Sequence, residues 1–378
     1  MNKILFISNI ASRITSFDIA SISAAEKTEL EFYHAANWES ATSEQIKSDE
    51  AKYGIKINSV HISRNPLSKS NIKAYRELVE LVKREKIDYI HCNTPTGGLL
   101  GRLVGKKCKI KKVIYQVHGF HFYKGAPKKN WLLYYPIEKW LARKTDALIT
   151  INYEDYEVAR KKFKLRDGGN IYYVPGVGIN SGDYKVDETT RVKKREELGI
   201  PQDAFVIVSA GELNANKNNR VIISAMEKLG NKKLHYVLCG VGDKESALTT
   251  QANAAGLNEN VHFLGYRTDV KEIYAMSDCF VMPSLREGLS RSIMEAMATG
   301  LPCIVSKIRG NTDLIDDGSG GYTCPANNAD FWAEKLDILL NNSALCQKMS
   351  EFNRQKIKKF DFSVVEQDLI KIYQHTFL

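Results

Sequence analysis

The chain has 378 residues, with 54 Lys and Arg against 44 Asp and Glu, 43 % hydrophobic and 26 % charged. This length and balance fit two globular domains with sizeable cores, and they exclude a disulfide scaffold, a collagen-like chain or a wholly disordered one. Seven scattered cysteines without a Cys-x-x-Cys pair predict reduced thiols in the cytoplasm, and with no apolar run of ~18–20 residues and no secretory h-region the protein should be neither exported nor integral to a membrane.

A charged start followed by Ile4, Leu5, Phe6 and Ile7 predicts a fully buried parallel strand, and similar runs recur at 89–92, 113–117 and 147–151. Residues 71–85 place Ile72, Tyr75, Leu78, Val79 and Val82 at three- and four-residue spacing, which predicts a helix between strands. After a polar, Gly-containing stretch at 175–182 a second series begins. Its strands are expected at 205–210, 236–239, 261–264, 279–282 and 302–305, with helices over 219–229, 244–255, 270–276, 290–299 and 330–340. An amphipathic helix over 362–377 closes the chain. The alternation is that of an α/β protein built from two doubly wound, Rossmann-like domains. We place them at 1–180 and 181–360, with 361–378 as a terminal helix packing back toward the first. Ligands of such sheets bind beyond the carboxyl ends of the strands, so the chemistry is expected in a cleft between the domains.

The most specific stretch runs from Pro283 to Pro302. A buried strand ends, a Gly-containing turn presents Glu287, and a helix opens near Ser290 with Glu295 inside it. Backbone N–H groups at such a helix start favour phosphate. Spacing alone favours Glu287 as a helix cap and Glu295 as a surface ion pair. Elsewhere, residues 100–144 hold twelve Lys and Arg against one acid, Glu138, so this segment has a net charge of +11 and the remainder is close to neutral. A basic region this localised predicts an anionic partner.

The stretch Pro283-Ser-Leu-Arg-Glu287-Gly-Leu-Ser-Arg-Ser-Ile-Met-Glu295-Ala-Met-Ala-Thr-Gly300 resembles the E-x7-E motif of family 4 retaining glycosyltransferases. The loop 209–218 resembles that family's first phosphate-binding loop, 261–267 its nucleobase loop, and 304–315 its following strand-turn-helix. The resemblance implies the GT-B fold, with the donor nucleotide-sugar held by the C-terminal domain and the acceptor by the N-terminal one. It assigns the ribose hydroxyls to Glu295, the hydroxyls of the transferred sugar to Glu287, and the sugar and diphosphate to the amides of Gly288, Leu289 and Ser290. Carboxylates accept from hydroxyls, and amides donate to phosphate. Lys217 matches the diphosphate lysine, and Gly211, Glu212, Tyr266 and Arg267 fall in the donor loops. The family usually has Arg where Glu212 stands, which removes one positive charge from the diphosphate clamp unless Glu212 has another task, such as orienting Lys217.

The N-terminal half matches more loosely. His118-Gly119 resembles the family's strand-end His-Gly, whose histidine sits near the donor sugar and phosphate. The family's early glycine-pair loop is missing, which leaves Ser12 or Arg13 as candidates for that contact. The run from His118 to Gly125 resembles bacterial members that build capsule or exopolysaccharide units on polyprenyl-diphosphate-linked sugars at the cytoplasmic membrane face. Phe120, His121, Tyr123, Lys124, Lys128, Lys129, Trp131 and Trp140 are therefore expected to face acceptor or membrane, because cations and Trp or Tyr suit a membrane-water interface. A core-packing helix with a solvated basic face is the alternative for this segment. No nucleic-acid motif accompanies the charge.

These expectations amount to a retaining GT-B glycosyltransferase, with catalytic residues Glu287, His118 and Lys217. It would use a UDP-linked hexose or N-acetylhexosamine and a lipid-linked saccharide acceptor, in peripheral contact with the anionic inner face of the cell membrane. The sequence contains no Asp-x-Asp, so transfer is expected to need neither a metal nor a cofactor. Two other readings stay open from sequence: a nucleotide-sugar epimerase on a related fold, and a sugar-nucleotide or polyanion-binding protein without turnover.

Overall fold

The structure, a computed structural model, describes residues 1–66, 68–184 and 187–377. It divides into two compact units, Met1–Gly178 with Phe362–Leu378, and Ile179–Asp361. The boundaries thus fall at 178/179 and 361/362, where the sequence reading set 180/181 and 360/361.

In the first unit β1 (Asn2–Ile10), α1 (Ser16–Lys27), β2 (Leu30–Asn37), α2 (Ser43–Tyr53), β3 (Lys56–Ser59), α3 (Ser70–Glu85), β4 (Tyr89–Asn93), α4 (Pro95–Lys107), β5 (Lys112–Val117), α5 (Lys128–Ala142), β6 (Ala147–Thr150), α6 (Tyr153–Lys162) and β7 (Asn170–Tyr173) alternate along the chain. The strands pair in parallel in the order β3-β2-β1-β4-β5-β6-β7. The winding reverses between β1 and β4. The apolar run of β1 follows from burial on both faces: Leu5 and Ile7 enter one core, with Leu78 and Val104, while Ile4 and Phe6 enter the other, with Ala24. Helix α4 sits directly on the sheet because its inner face is glycine. A Cβ at Gly98 would fall 2.2 Å from the Tyr115 ring, and one at Gly101 would fall 2.5 Å from Cys92 Cβ.

The second unit holds α7 (Glu188–Glu197), β8 (Phe205–Ala210), α8 (Arg220–Leu229), β9 (Leu234–Cys239), α9 (Glu245–Ala254), β10 (Val261–Phe263), α10 (Val270–Met276), β11 (Cys279–Met282), α11 (Arg291–Thr299), β12 (Cys303–Ser306), α12 (Asn311–Leu314), β13 (Gly321–Cys324), α13 (Ala329–Leu340) and α14 (Ser343–Lys356). Its parallel sheet has the order β10-β9-β8-β11-β12-β13, with the reversal between β8 and β11. The strands expected at 205–210 and 279–282 form over those residues, and the other expected strands of this unit shift at their ends by at most two residues.

The last helix, α15 (Phe362–Phe377), belongs to the first unit. It buries Val365, Leu369, Ile372, Tyr373 and Phe377 in the core that contains Ile4 and Phe6. The Tyr373 hydroxyl lies 2.7 Å from His91 Nδ1, and the Tyr89 hydroxyl donates to the Phe377 carbonyl at 3.0 Å. The seven cysteines are free thiols, and among the described residues no helix is long and apolar enough to cross a membrane.

Candidate active site

In the second unit β8 and β11 are hydrogen-bonded neighbours at the winding reversal, where open α/β sheets leave a crevice beyond their carboxyl ends. Each delivers one loop there. The loop after β8 turns at Gly211, with φ 149°, where a Cβ would press on the Lys217 side chain at 3.2 Å. Asn214 Oδ1 accepts from the Lys217 backbone N–H at 3.1 Å, and Asn214 Nδ2 donates to Glu212 Oε2 at 3.0 Å. Glu212 therefore braces the loop through Asn214. Lys217 Nζ, at the end of this chain of contacts, donates to Glu287 Oε1 at 2.8 Å, with both side chains mostly buried.

The loop after β11, which bears Glu287, is held on two sides. Asn216 accepts from Leu285 N at 2.8 Å and donates its side-chain amide to the Arg286 carbonyl at 3.0 Å. From the turn after β12, Arg309 directs Nε and Nη2 to the Glu287 carbonyl, each at 3.3 Å. Gly310, with φ 79°, comes so close that a Cβ would lie 2.1 Å from the Gly288 carbonyl oxygen. Arg309 is almost fully buried. It was not among the expected site residues; its signal was a lone arginine inside the matched stretch 304–315.

Gly288 and Leu289 lead into α11, whose N-cap is Ser290, with Oγ accepting from Ile293 N at 3.5 Å. Glu287 is therefore not the cap. The backbone amides at the helix start and the positive end of its dipole make this turn suited to an anion. Glu295, one turn further on, accepts from Arg291 Nε at 2.9 Å and from the Tyr274 hydroxyl at 3.4 Å. The ion pair that spacing allowed for Glu295 is thus present. Burial and then the Glu295 charge hold the Tyr184 phenol well above its usual pKa. Tyr266, past β10, is 80 % exposed. Arg267 is engaged by Asp269 at 2.6 and 2.7 Å and by Glu197 at 3.2 Å.

In the first unit His118 follows the last residue of β5, at the carboxyl edge of that sheet. The Phe17 ring centroid lies 5.5 Å from its own, and its buried Nδ1 has no hydrogen-bond partner among the described residues. Burial pushes its pKa down to about 4 against an opposing pull from Asp18, so at pH 7 the ring is neutral and can accept or donate. Arg13 is paired with the buried Asp49 at 3.1–3.2 Å, and about half of its side chain stays exposed.

The basic-aromatic segment divides into an inner and an outer face. Phe120 is buried, its ring stacked 4.7 Å from Phe122 and its N–H donating to Asp155 at 3.0 Å. Trp131 packs on Phe122 and Tyr135, at 5.4 and 5.8 Å between centroids, and its indole N–H donates to the Tyr123 carbonyl at 3.3 Å. Phe120 and Trp131 thus correct the expectation that their rings face a membrane: both pack in the apolar core under α5, where Phe120 also lines a cavity. Half-buried His121 packs on Tyr134 with tilted rings, 4.6 Å between centroids. Lys124, Lys128 and Lys129 are exposed, and Trp140 is exposed beneath Lys144 Nζ, 3.4 Å from its ring centroid. The outward stripe of α5 is instead Leu132, Leu133, Pro136, Ile137 and Trp140, spaced by three and four residues, with Leu132 79 % exposed. Arg102 lies inside, 3.8 Å over the Tyr115 ring and bonded to Glu138 at 2.7 and 3.2 Å.

Comparison with known proteins follows these features. A family model described as "Glycosyl transferases group 1" matches residues 190–356, and one described as "Glycosyl transferase 4-like" matches residues 3–152. The chain is 34 % identical to "Putative glycosyltransferase EpsD" of Bacillus subtilis (strain 168), over 98 % of this chain and 96 % of that one. It is 32 % identical to a "UDP-Gal:alpha-D-GlcNAc-diphosphoundecaprenol alpha-1,3-galactosyltransferase" of Escherichia coli, over 82 % of this chain and 81 % of that one. Among solved structures, Anabaena Alr3699/HepE in complex with UDP superposes with a TM-score of 0.79 at 18 % identity, over 99 % of this chain and 100 % of that one. That superposition identifies the GT-B fold.

Proposed function

We propose that the chain, which belongs to the group 1 and 4-like glycosyltransferase family, moves a hexose or N-acetylhexosamine from a UDP-linked donor to a polyprenyl-diphosphate-linked saccharide, with retention and in bacterial capsule or exopolysaccharide synthesis. The observation that supports this most is the Lys217–Glu287 pair beside the N-terminus of α11. It joins the three chemistries that a sugar-nucleotide needs. An ammonium and a set of amides meet the diphosphate, and a carboxylate meets the sugar hydroxyls. A relative at 32 % identity carries a UDP-linked donor, a diphosphoundecaprenol-linked acceptor and an α bond in its name. The α bond agrees with retention, since common UDP-hexoses are themselves α-linked.

Glu295 would exchange Arg291 for the ribose hydroxyls, and Glu287 would hold the sugar. Lys217 and the amides of Gly288, Leu289 and Ser290 would stabilise the departing diphosphate without a metal. The leaving phosphate would assist deprotonation of the acceptor hydroxyl on the same face, and neutral His118 would donate to sugar or phosphate. The apolar stripe of α5, flanked by Lys128, Lys129, Lys139, Arg143 and Lys144, would lie on anionic lipid at the cytoplasmic face of the membrane. A thermal-shift screen tests the donor reading, because a ligand at 100 times its Kd stabilises the native state by about 2.7 kcal/mol. UDP and UDP-sugars should raise Tm more than GDP or CDP at equal concentration; no shift with any uridine nucleotide contradicts it.

A further inference from the structure

Beside the His118 edge, the first unit has a cavity of about 300 Å³ between α4 and α5. Its walls are largely apolar: Leu99 from α4, Tyr115 and Val117 from β5, Phe120 beyond it, and Leu133 and Ile137 from α5. The floor is fixed. Tyr115 is fully buried under the Arg102 guanidinium, which is itself bonded to Glu138. Leu133 and Ile137 are 55 % and 41 % exposed, so they line the cavity and also form part of the outward apolar stripe. Gly119 and His121 line it too, and they follow His118 directly in the chain. The cavity therefore connects the exposed apolar face of α5 with the carboxyl edge of the sheet.

We infer that this cavity holds the isoprenoid units next to the diphosphate of the acceptor lipid. The inference rests on the polyprenyl-diphosphate reading of the acceptor. For the sugar end of such a lipid to reach the sheet edge, its first isoprenoid units must leave the bilayer, and an apolar passage keeps them out of water. The diphosphate would then meet cations from the segment that joins the cavity-lining His121 to α5. Lys124, Lys128 and Lys129 are exposed around the start of α5, a helix whose N-cap, Pro127, supplies no side-chain acceptor to its first amides.

Binding of inorganic, geranyl and farnesyl diphosphate to the full chain, with saturating UDP occupying the second unit, tests this by calorimetry. Full burial of one methylene is worth roughly fourfold in affinity, so one added isoprenoid unit, partly buried, should tighten binding by about tenfold or more. Leu133→Arg and Ile137→Arg change exposed positions; each should abolish that gain while leaving Tm and UDP affinity as in the wild type. Affinity independent of chain length, or a gain that survives both variants, overturns the assignment. Equal gains along a straight-chain alkyl diphosphate series assign the cavity to membrane lipid and also overturn it. Transfer to a lipid-linked saccharide without any chain-length effect on binding refutes the cavity alone. Chain-length-dependent binding without transfer upholds the cavity and refutes the reaction.

Discussion

Glu287→Gln separates the roles of the two carboxylates. Lys217 Nζ is 2.8 Å from Glu287 Oε1, with 21 % and 15 % of the two side chains exposed. Glutamine keeps the size and a carbonyl acceptor but removes the charge. Lys217 then loses its ion pair and keeps at most a neutral hydrogen bond. A pair still in contact with solvent is worth ~1 kcal/mol, or about fivefold in an equilibrium. Released from that competition, Lys217 should hold a diphosphate at least as well as before, so the Kd for UDP should stay level or fall by up to about fivefold. Transfer should fall by roughly 10²–10³, because the sugar loses a charge-assisted bond and its orientation. Glu295→Ala should instead raise the Kd for UDP by roughly tenfold, the size of a lost hydrogen bond to a charged acceptor. Calorimetric titration with UDP and initial rates at saturating donor read both quantities. Equal losses of UDP affinity in the two variants, or transfer by Glu287→Gln above a tenth of wild type, would refute the division of roles.

Lys217→Ala should lower turnover by roughly 10²–10³, as expected for one preorganised donor to a developing anion, and EDTA should leave wild-type rates unchanged; a strict Mg²⁺ or Mn²⁺ requirement would contradict the metal-free assignment. Replacing Lys128, Lys129, Lys139, Arg143 and Lys144 together by Ser should remove several kcal/mol of attraction to anionic vesicles, at ~1 kcal/mol per charge, while sparing UDP binding. Co-sedimentation at low and high salt measures this, and a wild type that ignores anionic vesicles at low salt refutes the membrane assignment. Burial lowers the His118 pKa to about 4, against ~6.5 for an exposed imidazole, so the unfolded chain takes up this proton first on acidification. The stability gained by keeping the ring neutral is complete above pH 6.5 and is lost as pH falls toward 4; Tm should drop across that window and His118→Gln should flatten part of the drop.

Much of the second unit was legible because its signals are local. The apolar runs of β8 and β11 are bounded by turn residues, and the stretch from Pro283 to Gly300 shows strand, turn and helix start in order. Helix α4 was not, because Gly97, Gly98, Gly101 and Gly105 lower its intrinsic propensity. The requirement for glycine comes from close approach to Tyr115 and Cys92, which no local pattern reveals. Edge strand β3 (Lys56–Ser59) is polar and only half-buried, so it lacks an apolar run to find. On α5 the sequence places aromatics and cations together but does not say which ring points inward. Trp131 is three residues from Tyr134 and four from Tyr135, the inner face, while Trp140 falls on the stripe of Leu132 and Pro136. Arg309 was missed because its role depends on a carbonyl 22 residues earlier.

The most direct test of the account is product analysis after incubating the purified chain with a UDP-hexose or UDP-N-acetylhexosamine and a polyprenyl-diphosphate-linked saccharide. Proton NMR of the isolated glycolipid should show one new glycosidic bond in the α configuration of the donor, with an equivalent of UDP released. A β bond, an altered sugar nucleotide without a new bond, or tight donor binding with no product would contradict retaining transfer.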